Sequence, residues 1–308
     1  MYPKGVQDEL LKMGSVVDFA GHTFQTALLS GLNKCYPEMK VISSALTSTY
    51  PRVKKLNFEQ FNFDHKGGNN KRDKYVGVQL ADSIFTVCKA AQRTIGALRY
   101  AKRGNNDGVV YNTFPNIDYD AVESGKLRKE LGISNDKIVV TSVGRVVKAK
   151  GHDYAIEAIK RISDPQFVFV VVGDGPYTEV YQKQLKEEIA QKRVFVLGSR
   201  SDVKEILKDS DVFLFTTLNE NHSLALMEAV NMHCTVIATN VGGNPEIIQG
   251  DETGLLIPKM DIDSIQKALI KLKDKNLRTE FAENAYDYCR SKFSVENTYG
   301  KLDNIFSK

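Results

Sequence analysis

A doubly wound α/β domain is predicted for the second half of this 308-residue chain, and three observations predict it. First, apolar runs rich in β-branched and aromatic residues stand at 138–143 (IVVTSV), 167–172 (FVFVVV), 194–197 (VFVL), 212–216 (VFLFT) and 235–238 (TVIA). Each is nearly continuous, not alternating, as expected of a strand covered on both faces of a parallel sheet. Second, stretches of helical character separate the runs, at 152–162, 176–191, 202–209 and 223–232. Strand and helix taking turns at this spacing indicate βα units wound on one sheet. Third, glycine-bearing turns follow several of the strands. Ligands of such sheets bind outside the carboxyl ends of the strands, so these turns are where a site is expected.

The first 112 residues are less regular. Residues 19–32 (FAGHTFQTALLSGL) read as a helix with Leu28, Leu29 and Leu32 on its buried side. Residues 39–43 (MKVIS) read as a strand, and 84–88 as a strand followed by a helix rich in Lys and Arg. Residues 52–74 are polar and have no clear period. The tail is helical. In DIDSIQKALIKL the apolar side chains at 262, 265, 269 and 270 are expected to share one face. Ser294 is placed to cap a last helix. Pro176, and Asn244 with Pro245, are expected to open helices, the latter as N-cap and first helical residue. The expected division is 1–112, 113–285 and a terminal helix over 286–308 packing back toward the first lobe.

Composition bounds the function. Apolar residues make up 42% and charged residues 26%, ordinary for a globular protein. No apolar run is long enough to cross a bilayer. The opening MYPKGVQDELLK lacks the apolar centre of a signal peptide. Cys35, Cys88, Cys234 and Cys289 stand singly, with no CxxC and no His/Cys cluster. A reducing, cytoplasmic setting is therefore expected. Residues 1–112 carry 16 Lys/Arg against 9 Asp/Glu, and the remainder carries 26 against 29. A basic first lobe suits peripheral contact with lipid headgroups at the inner face of a membrane, or with a phosphorylated acceptor; a solvated surface gives the same count. The basic residues at 66–74 and 99–103 have no nucleic-acid motif around them, so nucleic acid is not an expected partner.

Four stretches carry candidate chemistry. In SVGRVVKAKG, Gly144 lets the chain turn close to a ligand, and Arg145 and Lys150 are placed to clamp a diphosphate. Two surface cations near a turn would look the same. In VGDGP, Gly173 again follows a strand. A single carboxylate is present there, so this is not a DxD metal motif, and no metal or other cofactor is expected. Glu220 and Glu228 bracket ENHSLALME, straight after the run VFLFT. Glu220 then lies in the loop and Glu228 a turn or more into the helix. Ser223 or a neighbour caps that helix, and the free N–H groups at 222–224 form an anion site at its positive end. A solvated helix with two glutamates fits the same spacing. Finally TNVGGNPE follows a further strand, as a structural turn or a ligand contact. His152 and His222 stand alone, a pattern more common for surface or structural than for catalytic histidines; His222 is the exception to watch, because it lies within the stretch from Glu220 to Glu228.

VGR…KG, VGDGP, LGSRSDV, Glu220-x7-Glu228 and TNVGGNPE, in this order, resemble the donor-binding half of a family 4 glycosyltransferase. The resemblance is detailed from about 109 to 260. It implies a GT-B fold, two Rossmann-like lobes with parallel sheets, the N-terminal one shortened here. It implies a retaining, metal-independent hexosyltransferase that moves a sugar from a nucleotide sugar, UDP by default, to a lipid-linked or polysaccharide acceptor. By the same resemblance Arg145 and Lys150 would grip the diphosphate and Glu228 the ribose. Glu220 would be the catalytic carboxylate, holding the donor sugar and supporting charge at its anomeric carbon. The stretch Asn221, His222, Ser223 and Leu224 would bind phosphate or sugar. Gly198 to Arg200 would border the base. The family's first strand, the middle of its first lobe and the active-site His that the lobe often supplies have no counterpart. Two alternatives therefore stand beside a working transferase: a truncated relative that binds nucleotide sugar without efficient turnover, and a nucleotide-sugar epimerase on the same fold.

Overall fold

A computed structural model describes residues 42–43, 84–96 and 108–298. The chain divides into two compact units, Met1–Thr113 with Val295–Lys308, and Phe114–Ser294. In the first unit, β1 (Ile42–Ser43), β2 (Ile84–Thr86) and β3 (Gly108–Val109) form a parallel sheet in that order, and α1 (Lys89–Gly96) follows β2. The strands foreseen at 39–43 and 84–88 meet in the register Ile42 to Ile84. The helix foreseen over 19–32 and the polar stretch 52–74 lie outside the described residues.

The second unit holds six parallel strands: β4 (Ile138–Val143), β5 (Phe167–Val172), β6 (Val194–Val196), β7 (Val212–Phe215), β8 (Thr235–Thr239) and β9 (Leu255–Ile257). Their order in the sheet is β6-β5-β4-β7-β8-β9. The helices are α2 (Lys126–Leu131), α3 (His152–Arg161), α4 (Thr178–Gln184), α5 (Lys186–Ala190), α6 (Val203–Lys208), α7 (Leu224–Asn231), α8 (Asn244–Ile247), α9 (Ile262–Lys271) and α10 (Lys275–Lys292). The continuous apolar runs have the cause expected of them. Ile138, Val140, Phe167 and Phe169 pack on one side of the sheet with α3 and α9. Val139, Val168, Val170 and Val172 pack on the other with Leu127 and Ile206. Both faces are covered, so the alternate residues of β5 are apolar on both sides, and the two polar residues of β4, Thr141 and Ser142, are buried, with Thr141 Oγ1 2.6 Å from Ser210 Oγ.

The strand order places a switch point at the centre of the sheet. The chain leaves β4 outward through β5 and β6, then crosses to the other side of β4 to form β7, β8 and β9. Loops leaving β4 and β7 diverge there, and the crevice between them is the binding position of this architecture.

Local expectations needed correction. Pro176 does not open a helix. The Gly175 N–H is taken by Asp174 Oδ1 (2.7 Å) and Thr178 Oγ1 (3.0 Å), and this side-chain turn delays α4 to Thr178. The helix foreseen at 176–191 breaks at Leu185, a fully buried residue with φ −101° and ψ 16°. Asn244 is not the N-cap of α8. Its Nδ2 reaches back to the Thr239 carbonyl (2.9 Å), and Gly243 takes the cap position. Ile270 is 59% exposed, whereas Ile265, Ala268, Leu269 and Leu272 are buried. At 100° per residue, position 270 turns away from the stripe that 265 and 269 define. The short α2 and β9 had not been foreseen, and α10 runs unbroken through position 285. Among the described residues no helix is long and apolar enough to cross a membrane.

Candidate functional site

The crevice is built by stitching the β4 and β7 loops together. Leu218 N–H donates to the Ala149 carbonyl (2.8 Å). Thr216 Oγ1 donates to the Gly151 carbonyl (3.0 Å) and Thr217 Oγ1 to that of Ala149 (3.1 Å). Both threonines are buried. Sequence reasoning passed them over; their signal is a pair of hydroxyl residues just past an apolar strand, where loop carbonyls need donors.

This stitching brings Lys150 and Glu220 together. Lys150 Nζ stands 2.6 Å from Glu220 Oε2, with side-chain exposures of 25% and 12%. The ammonium also lies 5.3 Å from the centre of the Phe215 ring. The other Glu220 oxygen accepts from the Asn221 N–H (3.3 Å). The Gly243 N–H donates to the Glu220 carbonyl (3.3 Å), so the TNVGGNPE turn supports the glutamate's backbone.

Gly144 and Gly173 lie side by side at the ends of β4 and β5. The Gly144 N–H donates to the Val172 carbonyl (2.9 Å) and the Gly173 N–H to that of Gly198 (2.7 Å). A Cβ on Gly173 would stand 2.0 Å from the Gly144 carbonyl oxygen, so this approach excludes any side chain. Arg145 is exposed, and among the described residues no carboxylate pairs with it. Burial lowers the pKa of His152, at the start of α3; the Arg145 carbonyl facing its ring acts against that shift.

Ser223 is the N-cap of α7, its Oγ accepting from the Leu226 N–H (3.3 Å). The N–H groups of Ser223, Leu224 and Ala225 take no acceptor among the described residues. They are the orphan donors that every helix start carries, at the positive end of the dipole. Glu228 is half-buried in the second turn of α7.

Arg200 stands apart from this group. Its guanidinium forks onto both Glu130 oxygens (2.8 and 2.9 Å) and both Asp202 oxygens (2.8 Å each). Its hydrogen bonds to Asp202, then Glu130, raise its pKa further, and Arg200 holds both carboxyls below their usual range. All four acceptors come from the protein, so the side chain ties α2 to the loop before α6.

His222 is buried, edge-on to the Phe293 ring at 4.7 Å between centres. Burial, helped by the charge of Lys292, pushes its imidazole down to about 3. An unfolded histidine titrates near ~6.5, so between these values the unfolded chain binds the extra proton. Stability is therefore expected to fall as pH drops from about 6.5 toward 3. Urea midpoints at neutral and mildly acidic pH measure this. His222→Phe should shrink the loss; an equal loss in the variant would assign it to other groups.

The fold and the geometry define a doubly wound α/β domain with a paired cation and carboxylate at its switch point. Residues 123–288 match the family described as glycosyl transferases group 1, and the chain belongs to that family. It is similar to the Escherichia coli UDP-Gal:alpha-D-GlcNAc-diphosphoundecaprenol alpha-1,3-galactosyltransferase, 31% identical over 192 residues, which are 60% of this chain and 50% of that protein. It is 29% identical over 233 residues to the N-acetyl-alpha-D-glucosaminyl L-malate synthase of Bacillus anthracis, covering 75% of this chain and 60% of that protein. The chain thus spans half to three-fifths of the length of these relatives. Among solved structures, Anabaena HepE in complex with UDP superposes with a TM-score of 0.67 at 21% identity, over 78% of this chain and 68% of that one. Such neighbours share the GT-B fold.

Proposed function

We propose that the chain binds a nucleotide sugar in the crevice between the β4 and β7 loops and transfers its sugar to an acceptor. The pairing of Lys150 with Glu220 at the switch point carries this reading, because it sets a phosphate-binding cation beside a carboxylate suited to a sugar. Arg145 and Lys150 meet the diphosphate, the start of α7 adds N–H donors, and Glu228 accepts from the ribose hydroxyls. Glu220 faces the sugar and stabilises positive charge as the bond from C1 to the diphosphate oxygen breaks. The acceptor oxygen bonds to C1 on that same face and gives its proton to the departing diphosphate, so configuration is retained. Cations and the helix start take the place of a metal. The printed activities of the E. coli and B. anthracis relatives support a transferase, and the former supports a UDP donor and a lipid-linked acceptor. Such an acceptor places the reaction at a membrane surface, and the cytoplasmic face is the side we propose.

The test is calorimetric titration of the chain with UDP- and GDP-sugars in the presence of chelator, then a donor-hydrolysis assay on whichever binds. Metal-independent binding with slow release of the nucleoside diphosphate is the expected result. Binding without turnover would reduce the role to donor binding. A requirement for added metal, or no binding by folded protein, would overturn the reading.

A further inference from the structure

We propose that Glu220 competes with the donor's diphosphate for Lys150, and that this competition lets the site discriminate the nucleotide sugar from the nucleoside diphosphate product. The inference rests on the donor site proposed above. Its basis is an asymmetry between the two cations of that site. Arg145 is exposed and has no carboxylate partner among the described residues, so it can meet an anion without giving anything up. Lys150 is already partnered: its ammonium lies 2.6 Å from Glu220 Oε2 in a half-buried pair, and the Phe215 ring below it limits where it can move.

An ammonium so placed can neutralise the Glu220 carboxylate or a diphosphate oxygen fully, but not both. The outcome depends on what else the carboxylate has to bind. When a nucleotide sugar enters, sugar hydroxyls donate to Glu220 and compensate it for the lost cation, and Lys150 turns to the diphosphate. When the sugar has been transferred, those donors leave with it. Glu220 then recaptures Lys150, and the product loses one of its two cations. The pair thus weakens product binding relative to donor binding, which favours release. The backbone around Glu220 keeps the carboxylate in reach: the Gly243 N–H holds its carbonyl and the Asn221 N–H its other carboxylate oxygen.

The measurement is the affinity of the full chain for UDP, inorganic pyrophosphate and UDP-N-acetylglucosamine in four forms: wild type, Glu220→Gln, Lys150→Met and the double variant, each checked for folding by circular dichroism. Glu220→Gln is expected to bind UDP and pyrophosphate more tightly by roughly fivefold, the scale of a partly exposed ion pair. It should not gain for the nucleotide sugar. In the Lys150→Met background the same change should bring no gain. An unchanged or weaker UDP affinity in Glu220→Gln overturns the inference. So does a gain that persists without Lys150, which would mean simple relief of repulsion between the carboxylate and the anion. No binding of any diphosphate by any form removes the phosphate site and the inference with it. Failure of the transferase reading looks different: the UDP and pyrophosphate results hold, and no nucleotide sugar is turned over.

Discussion

Glu220→Gln is expected to lower the rate of sugar transfer by about two to three orders of magnitude, the scale found when one preorganised electrostatic group is removed from a reacting centre. The substitution keeps the shape of the side chain and its hydrogen bond to the Asn221 N–H, and removes only the charge. That charge sits where it matters. The Glu220 side chain is 12% exposed, and the β4 and β7 loops wall it from bulk water. In such surroundings a fixed carboxylate stabilises a developing positive centre far more than it would in solvent. Single-turnover release of the nucleoside diphosphate measures the step. A rate within a small factor of wild type would take the charge of Glu220 out of the mechanism.

Gly242→Ala is expected to destabilise the domain by about 1–3 kcal/mol, the scale of a strained backbone, and to abolish transfer. Gly242 has φ +53°, a conformation that side chains resist. A Cβ there would lie 1.6 Å from the Glu220 carbonyl oxygen and 2.8 Å from its carbonyl carbon. These are backbone atoms with no rotamer to give way, so the β7 or the β8 loop must move. Either movement displaces Glu220, whose position the adjacent Gly243 N–H also supports. Urea unfolding reads the first effect and the transfer assay the second. A variant as stable and as active as wild type would show that the two loops need not touch.

The strands were the most legible part of the chain. Ile138–Val143 and Phe167–Val172 stand at the bounds their composition predicted, because a strand buried on both faces is a nearly continuous apolar run and each ends where a glycine follows. Leu255–Ile257 escaped notice because three apolar residues at a sheet edge have no period to detect. Asn244 was misplaced because the sequence does not reveal that the Thr239 carbonyl needs a donor. The motif residues were legible as residue types with alternatives attached. Arg200 shows the limit: the sequence does not reveal that its guanidinium makes four hydrogen bonds to Glu130, 70 positions earlier in the chain, and to the nearby Asp202.

The sequence by itself determined the alternation of buried strands and helices, the glycine turns after the strands, and which carboxylates and cations lie in those turns. These are local properties, carried by neighbours in the chain. The tertiary structure alone decided the strand order, and with it the switch point between β4 and β7. It brought Lys150 to Glu220, and Arg200 to Glu130, each across 70 residues. The reason is that the pairing of parallel strands and the exchange of hydrogen bonds between their loops depend on the packing of whole βα units, and no single segment encodes which neighbour it will meet.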